Sequence, residues 1–155
     1  MPANKKSTNT ATKELIDLLN QSLANTLDLK LQVKQAHWNV RGENFIALHQ
    51  LFDEVAGAVE EYADMLAERV LQLGGIAKGT IQVVAENSSL KPYSTEIYKS
   101  AEHVTALTSS LRAVADSNRA LIDASDSLGD KVTADLCTEI TRGLDKWRWF
   151  VESNL

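Results

Sequence analysis

Apolar residues recur at helical spacing through four long stretches, and the breaks between those stretches limit how they can pack. Leu15, Leu19, Leu23, Leu27 and Leu31 repeat every four residues, with Leu18 widening the stripe. This spacing predicts a helix from Thr12 to about Asn39, ended by Arg41-Gly42. Leu48, Phe52, Val55, Val59, Tyr62, Leu66, Val70 and Leu73 step by three or four, predicting a second helix from about Asn44 that Gly74-Gly75 stops. A third carries Ile97, Ala101, Val104, Leu107, Leu111, Val114 and Leu121, capped by Ser94 or Thr95 and ending near Leu128-Gly129. The fourth starts near Asp130 and carries Val132, Leu136, Ile140, Leu144, Trp147 and Val151. Two tight turns and one long middle connection make an all-α four-helix bundle with a single crossover. Within that connection, residues 76–94 contain Pro92 and the short apolar run "TIQVVAEN", which fits either one or two helical turns or a strand.

A chain of 155 residues is one domain with room for a sizeable core. The first ten residues are polar and aperiodic, so the expected organisation is a flexible tail at 1–10 and one bundle domain at 11–155. The net charge of −5 argues against a general nucleic-acid binder. One cysteine, Cys137, excludes an intrachain disulfide and fits a reducing cytosol. "MPANKKSTNTATK" has no apolar secretory core, and no run of about 18 apolar residues is present to span a membrane. The expected location is cytoplasmic.

Ligand-type side chains gather on one face of the second helix. At about 100° per residue, with His49 as zero, Asp53 falls near 40°, Asp64 near 60° and Glu68 near 100°. The core residues Leu48, Val55, Val59, Tyr62 and Leu66 fall between about −140° and −80°, roughly opposite. The His49/Asp53 and Asp64/Glu68 pairs are separated by roughly 22 Å of helix, so one helix cannot close both on one ion. Two copies can. Antiparallel packing of two such helices about a two-fold axis brings His49/Asp53 of one against Asp64/Glu68 of the other, producing two identical sites. The axis falls near residues 58–59, where Ala56 and Gly57 offer small side chains for close approach. His37 lies about as far before the Arg41-Gly42 break as His49 lies after it, so a hairpin sets the two histidines level. Imidazole and carboxylate ligands without thiolate suit Fe(II), and an incompletely coordinated site could accept two irons and an oxidant.

Each feature also has a simpler reading: a structural histidine near a helix end, or solvated acidic pairs. Their common face, opposite the core, favours the metal. Glu60, near 20°, shares the face without discriminating. His103 has no acidic partner at helical spacing and is either structural or exposed. Lys34, Ile46 and Ser100 stand three residues before the histidines, so the Glu-x-x-His pattern of an intra-bundle di-iron centre is absent.

The segments "KQAHWNVRGENFIALHQLFDE" and "DMLAERVLQLGG", with "TADL" at 133–136 and the closing "DKWRWFVESN", resemble the Dps family of dodecameric mini-ferritins over about residues 12–155. The resemblance implies a ferritin-like bundle with a short extra helix in the crossover, assembled as a hollow shell of twelve subunits. It implies a ferroxidase that oxidises Fe(II), preferably with hydrogen peroxide, stores Fe(III) mineral and protects DNA from oxidative damage. Carried over by position, the ligands are His37, His49 and Asp53 of one subunit with Asp64 and Glu68 of its two-fold mate. Trp38 resembles the family's tryptophan beside the site and serves either to quench a radical or to pack. Asp123, Asp126, Asp130 and Asp135 surround the last turn. By resemblance they line three-fold pores that admit iron; read alone they form a solvated turn with Asp130 as N-cap. Asp130 and Asp135 are the stronger pore candidates.

Two other functions compete with the ferroxidase. One is a non-enzymatic DNA-compacting nucleoid protein, with Lys5 and Lys6 on twelve multivalent tails; binding through so few cations from an acidic shell is expected to be weak and lost as salt rises. The other is a metal-free helical bundle.

Overall fold

The computed structural model describes the backbone from Lys5 and side chains from Asn9, both to Leu155. Five helices follow one another: α1 (Lys5–Asn39), α2 (Phe45–Gln72), α3 (Ile81–Asn87), α4 (Ser100–Ser127) and α5 (Lys131–Glu152). The hairpin α1/α2 packs on the hairpin α4/α5 through α1 against α4 and α2 against α5, while α3 lies on α1. This is the single-crossover bundle read from the sequence, and "IQVVAEN" is a helix, not a strand. Among the described residues, no helix is long and apolar enough to cross a membrane.

The core is a continuous cluster in which Leu19, Leu29 and Val33 of α1, Phe52, Val59 and Leu66 of α2, Leu107 and Leu111 of α4, and Ile140 and Leu144 of α5 have no exposed surface. Each such side chain contributes roughly 1.5–3 kcal/mol through burial. The leucine stripe of α1 does not stay in the core along its length. Leu15, Leu19 and Leu23 are buried, Leu27 is half-buried, and Leu31 is 49% exposed. A strict four-residue repeat advances by about 40° per step, so it winds off the seam. Leu29, Val33, Ala36 and Val40 take its place inside.

Two helix starts differ from expectation. The α1 backbone is helical from Lys5, ahead of Thr12: residues 5–10 contain neither proline nor glycine, and extending an existing helix costs little. The side chains of Lys5 and Lys6 lie outside the described residues. The helix expected to start after Ser94 or Thr95 begins at Ser100. Local capping loses to a tertiary contact there. The Arg41 backbone N–H donates to Tyr98 O at 2.8 Å, Ser100 N–H donates to Arg41 O at 3.1 Å, and the Ser100 hydroxyl donates to Glu43 O at 2.7 Å. This holds residues 98–99 extended against the α1–α2 turn, so Ile97 precedes the helix. The other ends agree with the sequence: Asn44 is the N-cap residue of α2, Gly74 leaves α2 with φ of 85°, and Asp130 caps α5.

His103 is structural. It is fully buried, and its Nδ1 lies 2.6 Å from the Tyr93 hydroxyl, tying the crossover to α4. Burial pulls its pKa down, and the Ile97 carbonyl opposes this without prevailing, so the ring is neutral at pH 7.

Candidate metal centre

The short turn between α1 and α2 creates the first half of the centre. Gly42 has a φ of 102°, a conformation that costs glycine little and other residues more. The reversal sets the last turn of α1 beside the first turns of α2. There the rings of His37 and His49 stack, with centroids 3.8 Å apart and planes 18° from parallel. Their Nδ1 atoms make reciprocal bonds: His37 Nδ1 lies 2.7 Å from His49 O, and His49 Nδ1 lies 2.7 Å from His37 O. Since Arg41 N–H is given to Tyr98, the His37 carbonyl, one of the orphan acceptors of a helix end, is left for His49.

The chemical consequence is a fixed tautomer. Carbonyl oxygens only accept, so each Nδ1 must carry the hydrogen, which leaves Nε2 as the nitrogen of each ring that can bind a metal when the ring is neutral. This is the outer support typical of metal-binding histidines. The C-terminal end of α1, where His37 sits, also carries partial negative charge that favours a cation. His37 Nε2 lies 3.8 Å from Asp53 Oδ1. Asp53 is exposed, and the Lys34 ammonium 2.8 Å from the same Oδ1 holds its carboxyl below the usual range.

Asp64 and Glu68 are exposed farther along α2, as the helical wheel requires. Among the described residues, no three His, Cys, Asp or Glu side chains of one chain converge closely enough to hold a metal ion. Between the two ligand pairs, Gly57 faces outward, and a Cβ built on it meets nothing within 4 Å. A mid-helix glycine costs roughly 0.8–1 kcal/mol relative to alanine, and no packing within this chain requires it. Ala56 was expected beside Gly57 on this face but is turned inward, 3% exposed, because its wheel position borders the core side. Beside the ligand face runs an open groove of about 720 Å³, lined by apolar Leu23, Leu27, Met65 and Ala77 together with the carboxylates of Glu60, Glu61 and Asp64. Glu60 is held by Lys30 at 2.7 Å. Trp38 is 64% exposed, so it packs on nothing inside the chain that would bury it.

The acidic residues of the last turn separate into two kinds. Asp123, Asp126 and Asp135 are exposed. Asp130 is half-buried and heavily bonded: it accepts from Thr133 N–H at 2.9 Å, from the Thr133 hydroxyl at 2.8 Å, and from Arg69 Nη2 at 3.0 and 3.2 Å. Burial works to raise its pKa, but the Thr133 and Arg69 bonds prevail and hold it below the usual value. Asp130 thus joins the end of α2 to the start of α5, with its charge offset by Arg69. Replacing it by Ala should lower stability by about 0.5–2 kcal/mol at neutral pH. Because the folded carboxyl titrates below the unfolded one, its contribution is present above pH ~4 and vanishes as pH falls through the folded value. Thermal melts of Asp130→Ala and the parent should therefore differ at pH 7 and converge in acid.

Sequence reading missed Lys34 as Asp53's partner, Arg69 as Asp130's, and the reciprocal histidine bonds. The only signal for Lys34 was its position one turn before His37.

A single-crossover helical bundle bearing imidazole and carboxylate groups on one helix face defines the ferritin-like class, and the family pattern described as a ferritin-like domain matches residues 16–155. The DNA protection during starvation protein of Agrobacterium fabrum is 45% identical over 155 residues, covering all of this chain and 92% of the relative. Mycobacterium smegmatis Dps in its tetragonal crystal form superposes with a TM-score of 0.91 at 33% identity, covering 100% of this chain and 93% of that one. Dps from Microbacterium arborescens in the high iron form gives 0.85 at 33%, covering 98% and 96%. The chain belongs to the Dps family.

Proposed function

We propose that this protein is a ferroxidase and iron store whose centres are shared between two subunits. His37, His49 and Asp53 of one subunit and Asp64 and Glu68 of a second copy bind Fe(II) as substrate. Hydrogen peroxide is the preferred oxidant: it takes one electron from each of two ferrous ions and two protons, and leaves as two waters. The Fe(III) product is stored as mineral inside a shell of twelve. Removing both ferrous ions and peroxide protects DNA in the cytoplasm, the role named for the Agrobacterium fabrum relative.

The observation carrying this reading is the reciprocal bonding of His37 and His49, which leaves the Nε2 of both rings for a metal and sets that of His37 3.8 Å from Asp53. An iron-loaded relative of the same fold supports iron as the metal. The exposed face around Gly57 and the groove lined by Leu23, Leu27, Met65 and Asp64 supply a surface for the second copy. Trp38, exposed beside His37, can give an electron to a stray oxidant. Asp123, Asp126 and Asp135 admit iron at three-fold pores, with Asp130 contributing as the bonded cap of that turn more than as free charge. DNA association, weak and salt-sensitive, belongs to the N-terminal end of α1 with Lys5 and Lys6 and would place particles on the nucleoid.

The test is anaerobic loading of the native particle with Fe(II) followed by peroxide. Rapid formation of Fe(III) inside a particle of about twelve chain masses is the expected result. Oxidation no faster than free Fe(II) in buffer would refute the proposal and leave DNA compaction or a metal-free bundle.

A further inference from the structure

The hydrogen-bond ladder of α1 stops one bond early, and the bond it gives up goes to the crossover. Val40 N–H closes the last helical bond, to Ala36 O at 2.9 Å. The next in register would run from Arg41 N–H to His37 O. Arg41 N–H instead donates to Tyr98 O at 2.8 Å, and Arg41 O accepts from Ser100 N–H at 3.1 Å, so Arg41 and Lys99 form an isolated parallel bridge. The Ser100 hydroxyl spans Gly42, sharing its hydrogen between Arg41 O at 3.0 Å and Glu43 O at 2.7 Å. The Arg41 guanidinium lies over the Tyr98 ring, 5.7 Å from its centroid. The acceptor that Arg41 leaves behind is the one His49 Nδ1 uses, at 2.7 Å.

Building on the ferroxidase reading above, we infer that Ser100 is a positioning residue for the metal centre: by gripping Arg41 and Glu43 it keeps His37 O turned to His49, and so holds His49 in the tautomer whose Nε2 can bind iron. Ser100 bonds to neither histidine and acts through the turn between them. A carbonyl can accept two hydrogens. Arg41 N–H, however, reaches His37 O only if α1 continues through Gly42, and the reversal that sets His49 level with His37 is then lost. Gly42, with φ of 102°, does not fix the reversal by itself, because glycine moves between backbone conformations at little cost. The grip from Ser100 supplies what the turn lacks. Without His37 O as its acceptor, the His49 ring can carry its hydrogen on either nitrogen, and a ring with the hydrogen on Nε2 cannot bind a metal there.

Nitrogen-15 NMR of the imidazoles in metal-free native particles tests this, at mildly alkaline pH where imidazole is uncharged. The chain has three histidines, so the His49 signals are assigned by their loss in His49→Ala. In the parent, His49 should carry its hydrogen on Nδ1. Ser100→Ala, which deletes the hydroxyl, should add a form with the hydrogen on Nε2. Ser100→Pro deletes the N–H as well and should enlarge that form. Proline is accepted at the first position of a helix, and Lys99, with ψ of 140°, already has the backbone that a residue before proline adopts. Anaerobic calorimetry should show Fe(II) affinity falling about tenfold in both variants, the lower end of the ~10–100-fold lost when the partner of a metal-binding histidine is removed. Ser100→Thr, which keeps the hydroxyl, should restore both readouts. An unchanged His49 tautomer in the Ala and Pro variants would overturn the inference even if their melting temperatures fall, and would leave Ser100 a structural joint between the crossover and the turn. Failure of the ferroxidase reading looks different: the parent itself binds no Fe(II) tightly and His49→Ala changes nothing, whatever the NMR shows.

Discussion

Mixed particles assembled from equal amounts of His49→Ala and Glu68→Ala chains will recover about one quarter of the parent's ferroxidase activity, although each variant alone has almost none. On the shared-site proposal each centre draws His49 from one chain and Glu68 from the other across an isologous contact. Random pairing makes half the dimers mixed; in each mixed dimer one centre has both intact partners and the other lacks both, which leaves about a quarter of all centres whole. Loss in the single variants should reach at least the ~10–100-fold that follows when even the outer supports of a metal ligand are removed. The measurement is peroxide-driven Fe(II) oxidation after the two chains are dissociated together and reassembled. Particles mixed after assembly serve as the control and should stay inactive. If reassembled mixtures are as inactive as either parent variant, His49 and Glu68 act on the same side of the contact and the shared-site reading fails.

The placement of the candidate ligands within one chain was legible in the sequence because it depends on periodicity alone. A short break between two helices sets His37 level with His49, and the rings do stack. A four-residue step places Asp53 one turn beyond His49, and Asp53 reaches His37. The Asp130 cap was legible for the same reason: its partner Thr133 is three residues away. What the sequence hid depends on contacts between distant segments. The start of α4 is decided by Arg41, about sixty residues earlier, gripping Tyr98 and Ser100, and this outweighs the capping preference of Ser94 or Thr95. Arg69 and Asp130 are brought together only when α2 and α5 pack. The leucine stripe misleads in a further way: a spacing of four is close enough to the helical period to read as one face but far enough from it to wind Leu31 into solvent. Lys34 was visible only as the residue replacing a glutamate of another kind of di-iron site. Its ion pair follows from the hairpin register that puts its ammonium on Asp53.

Gly57→Leu should break the particle into smaller species while leaving each chain helical. The proposed pairing, which sets His49 against Glu68 and Asp53 against Asp64, also sets Gly57 against Glu60, at the centre of the contact. Glycine there lets two backbones approach more closely than the 8–10 Å usual for packed helices, and a leucine on each chain would hold them apart. Within the single chain the substitution has the opposite sign. Nothing lies within 4 Å of the new Cβ, and leaving glycine in mid-helix gains roughly 0.8–1 kcal/mol of helix propensity. A general folding defect therefore cannot account for lost assembly, and far-ultraviolet circular dichroism of the variant should match the parent. Separating the helices by about 1 Å also moves Asp64 and Glu68 away from the histidines, and misplacement of that size costs about a hundredfold in rate. Native mass spectrometry and peroxide-driven oxidation should fail together in Gly57→Leu, with Gly57→Ala intermediate in both. A leucine variant that assembles and oxidises iron like the parent would mean that this face of α2 is not where two subunits meet.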